Sequence, residues 1–192
     1  DKASEHDLVI CLFSGGGSSL LTDCPENASP DDIMLLNGLL VDSGADIIKM
    51  NSVRKHLSRV KGGQLARRIS PASFVTVLIS DVPGDRVDCI ASGPTVPDIS
   101  TFADAVKVIE DYHLINRVPE VLLNYLKEGA GVNREETPKP EDLLFSNSPV
   151  FIAGNNNTAL QAAKEEAEKS GYSTFILTDK LFGDPEGACW WF

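Results

Sequence analysis

Three serines and three glycines stand together directly after an apolar run of the chain. They occupy six consecutive positions: Ser14, Gly15, Gly16, Gly17, Ser18 and Ser19. The preceding run, DLVICLF at 7–13, is almost continuously apolar and predicts a buried strand. In a parallel α/β sheet, ligands bind at the carboxyl ends of the strands, where a glycine-rich turn lets backbone N–H groups approach an anion. The hexapeptide therefore predicts either a phosphate or carboxylate site, or only a tight turn that needs a positive φ.

A second polar group lies on a predicted helix, in the stretch NSVRKHLSRVKGG at 51–63. At helical spacing, four of its residues share one arc of about 100°: Asn51, Arg54, Lys55 and Ser58. Lys61 lies at the edge of this arc, just before two glycines. Such a face offers many donors and few acceptors, and Arg binds carboxylate or phosphate bidentately. The stretch predicts an anion-binding face, with a solvated basic helix face as the alternative.

A third group lies in SDVPGDRVDCIASGPTVPD at 80–98. Asp81 ends a second predicted buried strand, SFVTVLIS at 73–80, and Asp85 follows across a Pro-Gly turn. Mg²⁺ is commonly coordinated by one or two carboxylates together with a substrate phosphate, so Asp81 and Asp85 are candidate metal ligands. Three residues further on belong to a candidate second backbone cradle for the anion: Ser92, Gly93 and Thr95. Ordinary turn chemistry is the alternative throughout, and it is the favoured interpretation for Asp88 and Asp98.

A fourth group is the run of asparagines after a third predicted strand, PVFIAG at 149–154. Asn157 is predicted to be the N-cap of the following helix. Asn155 lies at the same edge of the sheet as the other groups, and it is a candidate ligand contact.

These groups need a sheet that brings strand ends together, and the pattern of the chain predicts one. Apolar strand-like runs alternate with helical patterns, which predicts an α/β fold with a parallel sheet covered on both faces. A fourth strand is predicted at 173–178, and a long helix at 46–69 is predicted with an interruption at Gly62-Gly63. Helix N-caps are predicted at Ser29, before Pro30, and at Thr101, in a capping box with Asp104.

Composition excludes several functional classes. The 192-residue chain has a formal net charge of −11 and a sequence pI near 4.6. We therefore expect no nucleic-acid partner, because phosphate contacts need a basic surface. No apolar run approaches the roughly 20 residues that a membrane helix needs, so no membrane partner is expected. The four cysteines show no CxxC spacing and predict reduced thiols in an intracellular compartment, either cytoplasmic or mitochondrial.

Taken together, four motifs resemble the class II glycerate kinases, the family whose C-terminal part is called the MOFRL domain. The motifs are SGGGSSLL, NSVRKHLSRVKGGQLA, SDVPGDRVDCIASGPTVPD and FIAGNNNTALQAA. The resemblance runs from about residue 8 to residue 178. It implies a Rossmann-like α/β/α sandwich and an ATP- and Mg²⁺-dependent phosphorylation of D-glycerate to 2-phosphoglycerate.

That chemistry suggests a role for each polar group. The Ser14–Ser19 loop would hold a phosphate or the substrate carboxylate. Arg54 and Lys55 would bind the carboxylate or stabilise the transferring phosphoryl group. Asp81 would hold Mg²⁺, with Asp85, or orient the attacking hydroxyl. Asn51 and Lys61 would support anion binding.

The resemblance also implies how the chain is organised. Residues 1–180 are expected to be the central part of the family's N-terminal domain, truncated at both ends, with a divergent tail at 181–192 and no MOFRL domain. Two alternatives to a kinase stay open. One is a catalytically silent product that acts as a binding module, and the other is a hydroxypyruvate reductase, which would need a nicotinamide site. The oligomeric state is not predicted.

Overall fold

The fold is built on a parallel sheet of three strands in a computed structural model that describes residues 3–131 and 133–180. The strands are β1 (Leu8–Phe13), β2 (Ser73–Ile79) and β3 (Val150–Gly154), in the order β1-β2-β3. The central strand pairs Thr76 with Cys11 on one side and with Val150 on the other. Because all three strands run the same way, the segments that follow them gather at one edge of the sheet. The predicted α/β class with a parallel sheet is confirmed.

Seven α-helices surround or follow these strands in the described part of the chain. They are α1 (Gly17–Leu20), α2 (Pro30–Asp42), α3 (Ile47–His56), α4 (Gln64–Ile69), α5 (Phe102–Asp111), α6 (Glu120–Ala130) and α7 (Asn156–Lys169). Short 3₁₀ turns occur at Ile90–Ser92 and Leu143–Phe145. No helix among the described residues is long and apolar enough to cross a bilayer.

Two helix starts follow the sequence prediction closely. The Ser29 hydroxyl accepts a hydrogen bond from the Asp32 N–H at 3.2 Å, and the Asp32 carboxylate accepts one from the Ser29 N–H at 2.8 Å. Thr101 and Asp104 form the same reciprocal pair at the start of α5. Each box satisfies two backbone donors that a helix start otherwise leaves free. The predicted caps at Ser29 and Thr101 are confirmed.

The helix predicted at 46–69 is divided in two by a turn that begins earlier than Gly62. α3 ends at His56, because the Asp23 carboxylate accepts hydrogen bonds from the Ser58 hydroxyl and the Arg59 N–H, both at 2.6 Å. The Ser58 hydroxyl oxygen in turn accepts the Lys61 N–H at 3.0 Å. Such side-chain bonds offer the backbone an alternative to the helix. They form a turn that begins at Ser58 and ends at Lys61, called the 58–61 turn below.

The main apolar core lies among helices rather than on the sheet. It joins α2, α3, α5 and α6 through side chains that are almost fully buried, among them Leu36, Leu40, Val53, Ile109 and Leu126. A smaller cluster packs α4 under β1 and β2 around Ala66 and Phe74. The helical core therefore fixes α3, and the smaller cluster ties α4 to the sheet.

One face of the sheet is open within the described residues. Leu8, Ile10 and Leu12 of β1 are 60%, 63% and 71% exposed, and Phe151 of β3 is 55% exposed. α7 buries none of its side chains. Helices therefore cover one face of the sheet and not the other in this part of the chain, so the predicted cover on both faces is present on one face only.

The fourth strand predicted at 173–178 is wrong, because these residues form no strand. An extended segment becomes a strand only when a neighbour takes up its backbone hydrogen bonds. No strand within residues 3–131 and 133–180 does so here. Phe175 and Leu177 are correspondingly exposed.

We expect substitution of two helical glycines by alanine to change the free energy of unfolding in opposite directions. A Cβ on Gly129 of α6 would overlap the ring of Phe102, whereas one on Gly38 of α2 meets nothing within 4 Å. Gly38→Ala should raise the free energy of unfolding by about 0.5–1 kcal/mol, because alanine loses less backbone entropy in a helix. Gly129→Ala should lower it by about 1–3 kcal/mol through overpacking. Urea unfolding followed by circular dichroism measures both, and changes of the same sign would contradict the packing described here.

Candidate active site

The glycine-rich loop folds into a tight turn that touches the segment following β2. Gly16 has a φ of +77° and is the N-cap of the four-residue helix α1. A Cβ on Gly15 would overlap the carboxylate of Asp81, and one on Gly17 would lie 3.3 Å from the Cβ of Ala91. The positive φ therefore favours glycine at 16, whereas a side chain at 15 would displace the carboxylate of Asp81. The loop and Asp81 lie together at the carboxyl ends of β1 and β2.

Hydrogen bonds join three of the four predicted polar groups. The hydroxyls of Ser18 and Ser92 lie 2.8 Å apart. The Lys61 ammonium donates to the Ser18 carbonyl at 2.8 Å and to the Ser18 hydroxyl at 3.0 Å. The Ser92 hydroxyl also lies 3.5 Å from Oδ1 of Asn51 on α3, a long contact. The structure thus brings together Ser18, Asn51, Lys61 and Ser92, which are distant in sequence.

A cleft of about 410 Å³ opens beside this network. Its polar side includes Gly16, Ser18, Ser19, Asp23, Asn37, Arg54, Ser58 and Lys61. Its apolar side is formed by Ile33, Leu36 and Leu57. Gly16, Ser18, Ser19, Arg54 and Lys61 were all predicted as site residues, and they share this one cleft. Asp23, Asn37 and the apolar wall carried no local signal in the sequence.

The cleft holds two cations in a partly buried setting. Burial lowers the pKa of the Arg54 guanidinium. Burial, followed by the positive charge of Arg54, lowers the pKa of the Lys61 ammonium, while the Asp23 carboxylate acts in the opposite direction. Both shifts mean that the charged forms are less favourable in the cleft than in water. A bound anion would offset this cost.

Arg54 is oriented but not neutralised. Its Nε donates to Oδ1 of Asn37 at 2.8 Å. Within the described residues, neither of its terminal amino groups has a hydrogen-bond partner, and neither Arg54 nor Lys61 forms a salt bridge. The fork of Arg54 is thus available for a bidentate bond to a carboxylate or phosphate.

The segment after β2 passes through a strained turn. Ala91, Ser92 and Gly93 have φ values of 50°, 62° and 61°, all in the left-handed region. Non-glycine residues are rarely found there, and such strain persists only where the surroundings impose it. Two backbone hydrogen bonds from the segment before α4 impose this conformation. The Gly62 N–H donates to the Ser92 carbonyl at 3.0 Å, and the Gly63 N–H donates to the Gly93 carbonyl at 2.8 Å. Ser92 and Gly93 were predicted as site residues, whereas Ala91 carries no local signal in the sequence.

Lys55 does not line the cleft, although it was predicted to contact the substrate. Its ammonium is buried and lies 3.2 Å from Oδ1 of Asp98 and 3.6 Å from Oδ2 of Asp88. Asp98 is fully buried and also accepts from Ser100 and Thr137. Lys55 and Asp98 therefore form a buried ion pair behind α3, and the interpretation of Asp98 as turn chemistry missed it.

Thr95 and Asn155 also take structural partners. The Thr95 hydroxyl bonds that of Thr76 on β2 at 2.8 Å, and both residues are buried. Asn155, not the predicted Asn157, is the N-cap of α7, because its Oδ1 accepts the Thr158 N–H at 2.9 Å. The Nδ2 of Asn155 donates to the Asp85 carboxylate at 2.6 Å. Asn157 is the second residue of the helix, where its side chain does not serve as the cap.

The two candidate metal ligands differ in their surroundings. Asp81 is exposed and lies beside Gly15, whereas Asp85 adopts a φ of 54° and is bonded to Asn155. No three His, Cys, Asp or Glu side chains gather closely enough to hold a metal ion in the part of the chain that the structure describes. A Mg²⁺ ion at Asp81 would therefore need water and ligand phosphates to complete its coordination, which Mg²⁺ commonly uses.

A buried contact between His56 and Glu136 carries no local signal in the sequence. His56 is 2% exposed, with Nε2 2.8 Å from Oε1 of Glu136 and Nδ1 2.6 Å from the Ser52 carbonyl. Burial alone would raise the pKa of Glu136, but hydrogen bonds from His56 and from the Phe102 and Thr137 N–H groups outweigh it and lower the pKa to about 2. This contact fastens the end of α3 to the segment after α6.

Comparison with known proteins identifies the family. Residues 1–127 match a family described as a domain of unknown function, DUF4147. The chain belongs to this family. The predicted tail at 181–192 lies outside both the match and the described residues.

Several curated proteins are similar to this chain over nearly its whole length. A glycerate 2-kinase from Pyrococcus horikoshii is 42% identical over 188 residues, covering 98% of this chain and 42% of that protein. The crystal structure of a glycerate kinase from Thermotoga maritima matches with a TM-score of 0.76 at 41% identity, over 92% of this chain and 40% of that one. A relative from Agrobacterium vitis named as a hydroxypyruvate reductase is 43% identical, covering 93% of this chain and 38% of that protein.

These similarities confirm the resemblance to the glycerate kinases that the four motifs predict. This DUF4147 chain spans about two fifths of the length of the curated relatives it matches. The matched structure shares the α/β fold described above.

The Glu136 contact predicts how acid affects stability. Since the folded-state pKa is about 2 and the ordinary value is 4.5, the ionised carboxylate contributes stability that is complete above pH 4.5 and is lost as the pH falls towards 2. Glu136→Gln should lower the free energy of unfolding at pH 7. It should also reduce the slope of that free energy against pH between pH 4.5 and 2, by up to the slope that corresponds to the uptake of about one proton. Glu135→Gln, at a side chain that is 76% exposed, should leave that slope unchanged. Equal slopes for the parent and Glu136→Gln in urea unfolding at a series of pH values would contradict this.

Proposed function

We propose that this chain forms the glycerate-binding part of a glycerate kinase, which transfers a phosphoryl group from ATP to a hydroxyl of D-glycerate. The observation that carries the proposal is the pair of partly buried cations in the cleft, Arg54 and Lys61, neither of which has a carboxylate partner among the described residues. Similarity to proteins named glycerate kinase supports the same substrate.

Glycerate is a small carboxylate with two hydroxyls, and the cleft offers a group for each part. The guanidinium of Arg54 would bind the carboxylate bidentately. The hydroxyl of Ser18 would bond a substrate hydroxyl, and the buried Ser92, which does not line the cleft, would hold the Ser18 hydroxyl in place. Lys61, which already contacts Ser18, would stabilise negative charge on the transferring phosphoryl group. The name of the Pyrococcus relative supports phosphorylation at the 2-hydroxyl.

The glycine loop and Asp81 would serve the phosphate donor. Phosphoryl transfer depends mainly on positioning and on charge neutralisation, and Mg²⁺ supplies much of that neutralisation when bound with ATP. Asp81 is the exposed carboxylate at the carboxyl end of β2, and it lies against Gly15 of the loop. We assign it as the protein ligand of the ion. Asp85 would contribute indirectly, since Asn155 already bonds its carboxylate.

Lys55 has a positioning role in this proposal. Its pairing with Asp98 neutralises a buried charge behind α3 and holds in place the helix that carries Arg54 and Asn51. This revises the direct substrate contact predicted from the sequence.

A reductase acting on hydroxypyruvate is the second candidate, because the Agrobacterium relative carries that name. Hydroxypyruvate is also a small carboxylate, so the same cleft would accept it. The sequence contains no GxGxxG fingerprint for a nicotinamide dinucleotide. Consumption of NADH in the presence of hydroxypyruvate would favour the reductase, and formation of ADP from Mg-ATP and D-glycerate would favour the kinase.

The role of Arg54 is tested by binding, which does not require turnover. Arg54→Gln should weaken D-glycerate binding at least tenfold in isothermal titration calorimetry, because a hydrogen bond to a charged group contributes about 1.5–3 kcal/mol. Arg117→Gln removes the same charge from an exposed position outside the cleft and should change the affinity less than twofold. D-glycerate binding without ADP formation would identify a binding module. An affinity unaffected by Arg54→Gln would exclude the assigned pose.

The role of Asp81 is tested by its dependence on metal. Asp81→Asn should weaken Mg-ATP binding at least tenfold and leave the binding of D-glycerate without ATP unchanged. Asp142→Asn, at an exposed acid far from this loop in sequence, serves as the control that changes the same charge. Weakening of equal size in the absence and presence of Mg²⁺ would contradict metal binding by Asp81.

A further inference from the structure

A second cationic surface lies next to the cleft, beyond the 58–61 turn. It is an open groove of about 430 Å³, called the arginine groove below, and it is lined by Ser58, Arg59, Arg67, Arg68, Tyr125 and Arg134 among others. Ser58 lines both the cleft and this groove, so the turn separates them. The role proposed for the cleft makes no use of these four arginines.

Positive charge is in excess in the arginine groove. Glu135 lies 3.3 Å from Arg67, and Glu128 lies 2.6 Å from Arg134. Arg59 and Arg68 are exposed and form no salt bridge with any other described residue. Four guanidinium groups against two carboxylates leave two positive charges without a partner, in a chain whose formal net charge is −11.

Contacts hold three of these arginines in place. Arg134 lies over the ring of Tyr125, with Cζ 3.8 Å from the centroid. Arg67 donates to Oε1 of Gln64 at 3.0 Å and to the Glu136 carbonyl at 2.9 Å. The Nε of Arg68 donates to the Arg59 carbonyl at 2.9 Å, which leaves its two amino groups free within the described chain. Cations fixed near one another repel, and the arrangement becomes favourable when an anion is bound between them.

We propose that the arginine groove is a second anion site, which binds a small polyanion of the pyrophosphate or phosphate-ester class. The groove contains arginine and no lysine, and the planar guanidinium matches the geometry of phosphate oxygens bidentately. Two uncompensated positive charges suit a ligand that carries at least two negative ones. Because the groove is open, its binding is screened by salt.

Inorganic pyrophosphate is the probe, and the test uses paired double variants of the whole chain. Arg59→Gln/Arg68→Gln removes two charges from the groove, and Lys107→Gln/Arg117→Gln removes two from exposed positions on and after α5. In low salt, pyrophosphate should bind saturably, and the groove variant should weaken the affinity at least fivefold. The matched variant should change it less than twofold. Raising the salt to about 0.1 M, where the Debye length is about 10 Å, should weaken binding to the parent protein.

Three results would overturn the proposal. The first is the absence of saturable pyrophosphate binding. The second is an equal loss in both double variants, which would show a general effect of net charge. The third is loss of all pyrophosphate binding in Arg54→Gln with no loss in the groove variant, which would place the ion in the cleft. Because D-glycerate binding is measured separately, failure of this proposal is distinguishable from failure of the glycerate site.

Discussion

The cleft depends on a left-handed turn at Ala91–Gly93. Each non-glycine residue in this conformation costs about 1–2 kcal/mol, so the turn needs support from outside. Support comes from the chain after α3, whose Gly62 and Gly63 N–H groups bond the carbonyls of Ser92 and Gly93. In return, the turn fixes the Ser92 hydroxyl against Ser18. One strained segment thus sets the position of the glycine loop on one side and of the chain that carries Lys61 on the other.

Three successive basic residues of α3 lie in different environments and make different contacts. Successive side chains of a helix point about 100° apart, so Arg54, Lys55 and His56 cannot share one environment. Arg54 lines the cleft, Lys55 pairs with Asp98, and His56 contacts Glu136. Buried ion pairs are weak sources of stability, since the loss of hydration offsets the attraction. The effect of the Lys55–Asp98 pair, together with the hydrogen bond between His56 and Glu136, is to fix the rotation of α3, and hence the direction of Arg54.

Local patterns allowed the strands at 8–13 and 73–79 and the capped helix starts to be predicted, because the apolar runs and capping pairs are formed by residues close in sequence. The partner of Lys55 could not be predicted, because Asp98 is 43 residues away and looks like an ordinary turn residue. The early end of α3 depends in the same way on Asp23, which is 35 residues from Ser58. The strand expected at 173–178 fails for a related reason, since its residues find no pairing neighbour in the described chain.

The basic stretch of the sequence shows why net charge is a poor guide to anion binding. Seven of the 17 Lys and Arg residues fall between Lys49 and Arg68. The fold places six of them in a buried ion pair, the cleft and the arginine groove, with the 58–61 turn between the last two. The seventh, Lys49, is paired with Asp46 on the surface. Exposed charges separated by more than about 10 Å are largely screened at 0.1 M salt, so acidic residues elsewhere do little to cancel these local fields. An anion near either surface therefore experiences mainly the few cations that the turn and α3 hold in place.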